Sequence, residues 1–212
     1  MKALILANGD PPSEELAQRL AAAHDLLLAT DGAAHRAAGL GLKPDIICGD
    51  FDSVEWDVAQ AEFPGAEFVA TPDQDQADLE KALHVARARG ATALTITGAA
   101  GGRVDHTLAN FSLLLRYHRE IPMVIVDDRS EVLALSGTDE TPGEQVFAAT
   151  PGDTFSLLSL DGLVRATIQG VKWPLNDHRL PIGTLGISNI AEAEQVVVRA
   201  RGGALLVCHL KI

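Results

Sequence analysis

The sequence predicts an α/β fold: an N-terminal doubly wound, mainly parallel α/β sheet domain, followed by a smaller C-terminal all-β sandwich domain. Three observations lead there. From the N-terminus to about Leu135, short leucine-rich or β-branched runs alternate with alanine-rich segments of helical period, as βαβ units do. Residues 136–143 then form a polar, turn-forming break. Beyond it no helical period longer than a turn occurs, and the remaining runs are rich in Val, Leu, Ile and Thr. The expected domains are 1–136 and 144–212. The second, at roughly 70 residues, is near the size where a core needs a partner surface.

In chain order, Ala3 to Ala7 reads as a strand, and Ser13 to Ala23 as a helix capped by Ser13 with Pro12 before it. Leu26 to Thr30 is a strand, Ala33 to Leu40 a short helix stopped by Gly39 and Gly41, and Pro44 to Cys48 a strand running into Gly49-Asp50. Glu67 to Ala70 is a further strand, and Asp78 to Arg89 a helix with Gly90 in the position just past its end, where glycine relieves a left-handed turn. Ala93 to Thr97, Asp105 to His118 and Met123 to Val126 complete the series as strand, helix and strand. After the break, Thr154 to Leu160, Leu163 to Ile168, Gln195 to Ala200 and Ala204 to Leu210 read as strands. The Asp161-Gly162 and Gly202-Gly203 turns between them read as antiparallel hairpins.

With Lys+Arg 17 against Asp+Glu 29, the formal net charge is −12, and no basic run occurs. Such a surface repels phosphate backbones and anionic bilayers, so neither nucleic acid nor membrane is an expected partner. The apolar runs fall far short of a bilayer span, and the first of them is too short for a secretory leader. The two cysteines, Cys48 and Cys208, lack CxxC spacing and read as reduced, buried residues of a cytoplasmic protein.

Neither GxxxxGK[ST] nor a strand-following GxGxxG is present. The chain instead places aspartates at strand ends: Asp31, then Asp50 and Asp52, then Asp73 and Asp75, then Asp105. The carboxyl ends of parallel strands share one edge, where ligands bind, so these carboxylates converge. Carboxylates crowded in one cleft repel unless a cation sits among them, and oxygen ligands on short loops suit Mg²⁺ with phosphate oxygens. Asp and Asn also serve as plain turn and cap residues, and Asp75 could cap the helix that begins at Asp78. Asp78 and Lys81 share one face of that helix opposite Leu79, Leu83 and Ala86, which leaves Lys81 either a phosphate ligand or a solvated surface lysine. Gly98 to Arg103 offers backbone N–H groups, an arginine fork and a helix N-terminus, together an anion site. His106 is either a general base or a structural residue of that helix's first turn. Trp173 is either core packing or a stacking platform, with Ser188 and Asn189 supplying hydrogen bonds.

Taken together, Thr30-Asp31-Gly32-Ala33, KPDIICGDFDSV (Lys43 to Val54), TPDQDQADLEKAL (Thr71 to Leu83), TGAAGGRVDHTLAN (Thr97 to Asn110), GVKWPL (Gly170 to Leu175) and GISN (Gly186 to Asn189) resemble the thiamine pyrophosphokinase (thiamine diphosphokinase) family. The resemblance covers most of the chain. Ala33 and Ala77 depart from the family's pattern, the second removing a hydroxyl that would cap a helix. What the resemblance implies is diphosphate transfer from ATP to thiamine, giving thiamine diphosphate and AMP, by a homodimer binding thiamine where domains of two subunits meet. On that footing Asp50, Asp52 and Asp75 would hold Mg²⁺, while Asp78, Lys81 and Arg103 would be catalytic. Asp31, Lys81, Arg103, Asp105 and His106 would bind ATP, and Gln74, Trp173, Ser188 and Asn189 the acceptor. A pterin diphosphokinase of related fold and a non-catalytic nucleotide- or metal-binding module are the alternatives.

Overall fold

A computed structural model of the chain describes residues 1–51, 56–73 and 75–212, without the side chains of Trp56 and Asp57. It divides into two compact units, Met1–Asp128 and Arg129–Ile212.

The first unit is the α/β body. Its strands are β1 (Lys2–Leu6), β2 (Leu26–Thr30), β3 (Ile46–Gly49), β4 (Glu67–Ala70), β5 (Ala93–Thr97) and β6 (Met123–Val126). Its helices are α1 (Glu14–Ala22), α2 (Ala34–Gly39), α3 (Trp56–Glu62), α4 (Asp78–Ala88) and α5 (Val104–Tyr117). The strands are parallel in the order β6-β5-β1-β2-β3-β4. β1 and β3 are buried along almost their whole length, as strands covered on both faces must be, so their sequences are continuous apolar runs. Leu4, Leu6, Leu27, Ala29 and Ile47 point to one face, where Ala17, Ala34, Ala37 and Phe63 cover them. α4 packs across β3, β2 and β1, burying Leu79, Leu83 and Ala86.

Local signals place the helix ends. Ser13 caps α1, its hydroxyl accepting the Leu16 N–H at 3.2 Å. Gly90, at φ 88°, terminates α4, and the Ala91 N–H closes back on the Ala86 carbonyl at 3.0 Å. Residues 31–33, expected as loop and helix start, form a tight 3-10 turn ahead of α2. α3 has no counterpart among the expected helices, because seven residues give about two turns, too few for a period to stand out.

The second unit adds β7 (Ser130–Gly137), β8 (Gly143–Ala148), β9 (Thr154–Leu158), β10 (Arg165–Gln169), β11 (Leu175–Arg179), β12 (Asn189–Ile190), β13 (Gln195–Arg201) and β14 (Gly203–Leu210). They pair antiparallel as β12-β9-β14-β7 and as β11-β10-β13-β8. Phe155, Leu157, Leu205 and Val207 of the first set face Phe147, Ala166, Ile168, Val196 and Val198 of the second in one core, which is a sandwich. The expected hairpins are not hairpins. β9 and β10 lie in different sheets, as do β13 and β14, so Asp161-Gly162 and Gly202-Gly203 carry the chain from one sheet to the other. Each strand of such a pair buries its alternate residues from the opposite side of the core, which a hairpin within one sheet could not do. β8 is absent from the sequence reading because only Phe147 among its residues is buried, which leaves no alternation to read.

A buried polar pair anchors the end of this unit. His209 Nε2 lies 2.8 Å from Asp153 Oδ2, its ring stacked on Phe155 at 4.3 Å between centroids. Asp153 also accepts the Thr150 N–H at 2.9 Å and the Ile212 N–H at 3.2 Å. Burial acts to raise the Asp153 carboxyl, but these donors outweigh it and hold it below its ordinary value. A depressed carboxyl stabilises the fold above its unfolded value and gives that up as pH falls through the folded one. Denaturant melts of the second unit's signal should therefore weaken below about pH 4. Asp153→Ala should remove that acid limb and cost about 3 kcal/mol at neutral pH.

Candidate active site

In the first unit the chain order reverses between β1 and β5, the switch point at which open α/β sheets bind ligands. The loops leaving these two strands are laced together, with Ala7 N to Thr97 O at 2.9 Å, Gly9 N to Gly98 O at 2.6 Å and Asp10 N to Ala100 O at 2.7 Å. A side chain at Gly9 would place its Cβ 2.2 Å from the Ala100 carbonyl oxygen, so the approach requires glycine there. Beside this lacing lies a cavity of about 410 Å³, lined among others by Asn8, Thr30, Asp78, Arg103, His106 and Asn110.

Asp31, at the end of β2, is 2% exposed. Its Oδ1 accepts the Gly32 N–H at 2.7 Å and its Oδ2 the Phe51 N–H at 2.9 Å. Burial pushes the carboxyl up; the two N–H bonds lower it in part, and Asp78 and Asp50 add to the rise. It thus ties the β2 loop to the β3 loop. Gly49 makes room for it, since a Cβ there would stand 2.1 Å from Asp31 Cγ.

Lys81 is buried, 4% exposed, and the reading of a solvated surface lysine is excluded. Its Nζ lies 3.5 Å from Asp50 Oδ2 and 3.4 Å from Asp78 Oδ1. Burial alone would depress the ammonium, but the charges and hydrogen bonds of Asp78 and Asp50 outweigh it and hold Lys81 above the ordinary lysine value. α4 itself starts without a side-chain cap: its cap position is Ala77, not Asp75, and Asp78 is the first helical residue. Asp75 is exposed, its N–H given to Asp73 Oδ1 at 2.9 Å. Asp52 and Gln74 lie outside the described residues. Among the described residues no three or more His, Cys, Asp or Glu side chains gather closely enough to hold a metal ion unaided.

Arg103 and Asp105 are exposed and paired, Nε to Oδ1 at 3.1 Å and Nη2 to Oδ2 at 2.5 Å. The Arg103 hydrogen bond is the main cause that draws the Asp105 carboxyl down to about 2. The Asp105 Oδ1 also takes the His106 N–H at 3.0 Å. His106 is exposed on the cavity wall. The hydroxyls of Thr30, Thr71 and Thr97 are buried without a hydrogen-bond partner among the described residues. Thr30 and Thr97 end β2 and β5, and Thr71 follows β4, so all three orphaned groups belong to the ligand-binding edge of the sheet.

Sequence reasoning missed two members of this site. Asn110 is buried and donates Nδ2 to the Ala99 carbonyl at 2.8 Å, bracing the glycine loop from α5; in the sequence it entered only as the last residue of the Thr97 to Asn110 motif, with no role assigned. Thr30 carried no signal beyond standing before Asp31.

In the second unit Trp173 is 54% exposed, with Lys172 Nζ 4.8 Å from its ring centroid. That sets aside core packing as its role. Ser188 is exposed at φ 58°, its N–H donated to Ser156 Oγ at 3.0 Å. Asn189 is buried, and its amide is engaged with the main chain of Trp173 rather than offered to solvent.

Two family profiles match the chain. One, described as thiamin pyrophosphokinase, catalytic domain, covers residues 17–126; the other, thiamin pyrophosphokinase, vitamin B1 binding domain, covers residues 144–205. The chain belongs to the thiamin pyrophosphokinase family. Among similar proteins, thiamin pyrophosphokinase 1 of Caenorhabditis elegans is 26% identical over 98% of this chain and 88% of its own length. The thiamine pyrophosphokinase of Bacillus subtilis is 29% identical over 78% of each. A crystal structure of thiamine pyrophosphokinase from Bacillus subtilis superposes with a TM-score of 0.84 at 24% identity, covering 100% of this chain and 99% of that one. A thiamin pyrophosphokinase from Candida albicans gives 0.84 at 15% identity, covering 100% of this chain and 89% of that one, so the fold persists where little sequence does.

Of the two departures from the family's motifs, Ala33 is fully buried in the α2 side of the core, and Ala77 leaves α4 uncapped. Ala77→Ser should raise stability by about 1 kcal/mol in denaturant melts, since the hydroxyl can accept one of the helix's orphan N–H groups.

Proposed function

We propose that this chain is a thiamine diphosphokinase that transfers the diphosphate of ATP to the hydroxyethyl oxygen of thiamine and releases AMP. The observation that carries the reading is Lys81, a buried ammonium between Asp50 and Asp78, the second of which lines the switch-point cavity, inside the stretch matched by the catalytic-domain profile. A new bond forms between the thiamine oxygen and the β-phosphorus, the bond from that phosphorus to the α-phosphate oxygen breaks, and the electron pair leaves on AMP. Such transfer asks a protein mainly for positioning and for charges aimed at the phosphoryl oxygens.

The donor set suits Mg²⁺. It is all oxygen, and Asp50 and Asp78 already draw one cation between them. Asp50, Asp52 and Asp75 would hold the ion, which when bound neutralises phosphate charge and fixes the orientation of the transferred group. Asp78 accepts a hydrogen bond from the attacking hydroxyl. Lys81 and Arg103 balance negative charge on the β-phosphate and on the departing AMP. Asp31 and Asp105 hold the loops and Arg103 in place for ATP, and His106 and the orphaned Thr30 hydroxyl offer it polar contacts from the cavity wall. On the second unit, Trp173 stacks against the cationic acceptor, a contact of about 0.5–2 kcal/mol, with Ser188 as a further contact.

The units divide this work as an ATP- and Mg²⁺-binding α/β body and a thiamine-binding β-sandwich that pairs two chains. Leu160, Leu163, Ile182, Leu185 and Ile187, each at least 42% exposed, give the second unit the apolar surface a homodimer would cover. No described helix is long and apolar enough to cross a membrane, and the net charge of −12 disfavours nucleic acid as a partner.

The test supplies thiamine, ATP and Mg²⁺ and follows AMP and thiamine diphosphate by chromatography, with hydroxymethylpterin as the competing acceptor. Product from thiamine alone is expected; product from the pterin alone, or none from either, rejects the reading. Asp52→Asn should lower kcat by about 10²-fold or more with the melting curve unchanged, and unchanged turnover would remove Asp52 from the ion's ligands. Trp173→Ala should raise the thiamine KM while the ATP KM stays put, and an unmoved thiamine KM would remove Trp173 from the acceptor site.

A further inference from the structure

Asn189 stands out as a side chain whose hydrogen-bonding capacity is turned inward beside an exposed aromatic ring. It is 5% exposed. Its Oδ1 accepts the N–H of Trp173 at 3.0 Å and that of Ile190 at 3.0 Å, and its Nδ2 donates to the Trp173 carbonyl at 2.6 Å. Both lone pairs of the amide oxygen and one of its two N–H donors are used. The amide thus behaves as an extra peptide group between the Trp173 segment and β12. It continues a pairing that includes the Val171–Ala191 bridge and the 2.8 Å bond from Lys172 N to the Ile190 carbonyl. Ser188, just before it, sits in the left-handed region at φ 58°, a conformation that persists in a non-glycine residue only where its surroundings fix it. The main chain on both sides of Asn189 is therefore spent on aiming one amide at one tryptophan.

We propose that Asn189 is a positioning residue for Trp173: by clamping the tryptophan's N–H and carbonyl together, it holds the exposed indole in the orientation that stacks a planar, cationic acceptor. The inference rests on the reading of Trp173 as the acceptor platform. It differs from a direct substrate contact, because the Asn189 amide reaches the acceptor only through the tryptophan. An indole on a loose segment would have to be ordered at the moment of binding, and an indole held in advance avoids that cost. Lys172 lies over one face of the ring, so the acceptor stacks on the other.

The experiment is a double-mutant cycle on thiamine turnover with N189A, W173A and the double variant, reading kcat and both KM values. N189A should raise the thiamine KM about tenfold, the worth of one or two lost hydrogen bonds, with kcat at saturating thiamine and the ATP KM retained. The double variant should be no worse than W173A, because the clamp has nothing left to position. If the two KM effects multiply instead, Asn189 touches the acceptor itself and the proposal is wrong; an unchanged thiamine KM in N189A also overturns it. Should N189A fail to fold, N189D carries the same cycle, since it keeps the oxygen acceptor and sets a carboxylate oxygen against the Trp173 carbonyl in place of the donor. If the unaltered protein turns over no thiamine, the functional reading has failed on its own account. The clamp is then judged by fluorescence anisotropy of Trp173 in a W56F background, where a fall on N189A supports it and no change overturns it.

Discussion

The first unit is organised around a lysine that is only 4% exposed. Leaving an ammonium as buried as Lys81 without a counter-charge costs several kcal/mol, so Asp50 and Asp78 must stand where they do. Asp78 sits in the same helical turn and follows at no cost in order. Asp50 comes from the end of β3, and meeting it fixes how α4 lies across the sheet. The burial of Leu79, Leu83 and Ala86 supplies the adhesion, and the ion pair sets the register. Further along α4, Glu80 receives the Tyr117 hydroxyl at 2.5 Å, which fastens α4 to α5. The cavity between the two helix starts inherits its shape from these two polar contacts.

The strand-end aspartates fall into two groups. Asp31 holds two backbone N–H groups and Asp105 holds Arg103, so their charge is already answered by the protein. Asp50 and Asp78 meet the Lys81 ammonium at 3.5 and 3.4 Å, longer than a tight ion pair. Crowding of like residues in a sequence cannot separate these groups, because the difference lies in which main-chain donors happen to face each carboxylate.

The alternation of strands and helices was legible because parallel strands buried on both faces must be written as continuous apolar runs. The strand-end aspartates and the glycine loop were legible for a related reason: in this fold a loop residue's place in the sequence nearly determines its place on the binding edge. What was not legible depends on contacts across the chain. Spacing leaves Lys81 either a phosphate ligand or a solvated surface lysine, and its burial beside Asp50 depends on a residue brought in from the end of β3. The sheet-crossing turns at Asp161-Gly162 and Gly202-Gly203 look like hairpin turns, since glycine chemistry fixes a bend but not which strand the next segment joins. Asn110 is turned onto the main chain of Ala99, and Asn189, named in the sequence as an acceptor contact, onto the main chain of Trp173 and Ile190; no periodicity reports such partners.

The two cations beside the cavity are held with very different firmness, and this apportions what each can do when a phosphate-bearing ligand enters. Arg103 and Asp105 are both well exposed, so solvent screens their pairing and exchanging Asp105 for a phosphate oxygen costs little. The guanidinium can swing between the two while keeping its forked geometry. Lys81 has no such freedom: leaving Asp50 and Asp78 would strand it in a poorly solvated position and set two carboxylates facing each other. It must meet the ligand where it already stands. A fixed cation behind Asp78 of the cavity wall and a recruitable one on that wall let an acidic chain accept a polyanion without first exposing an uncompensated positive charge.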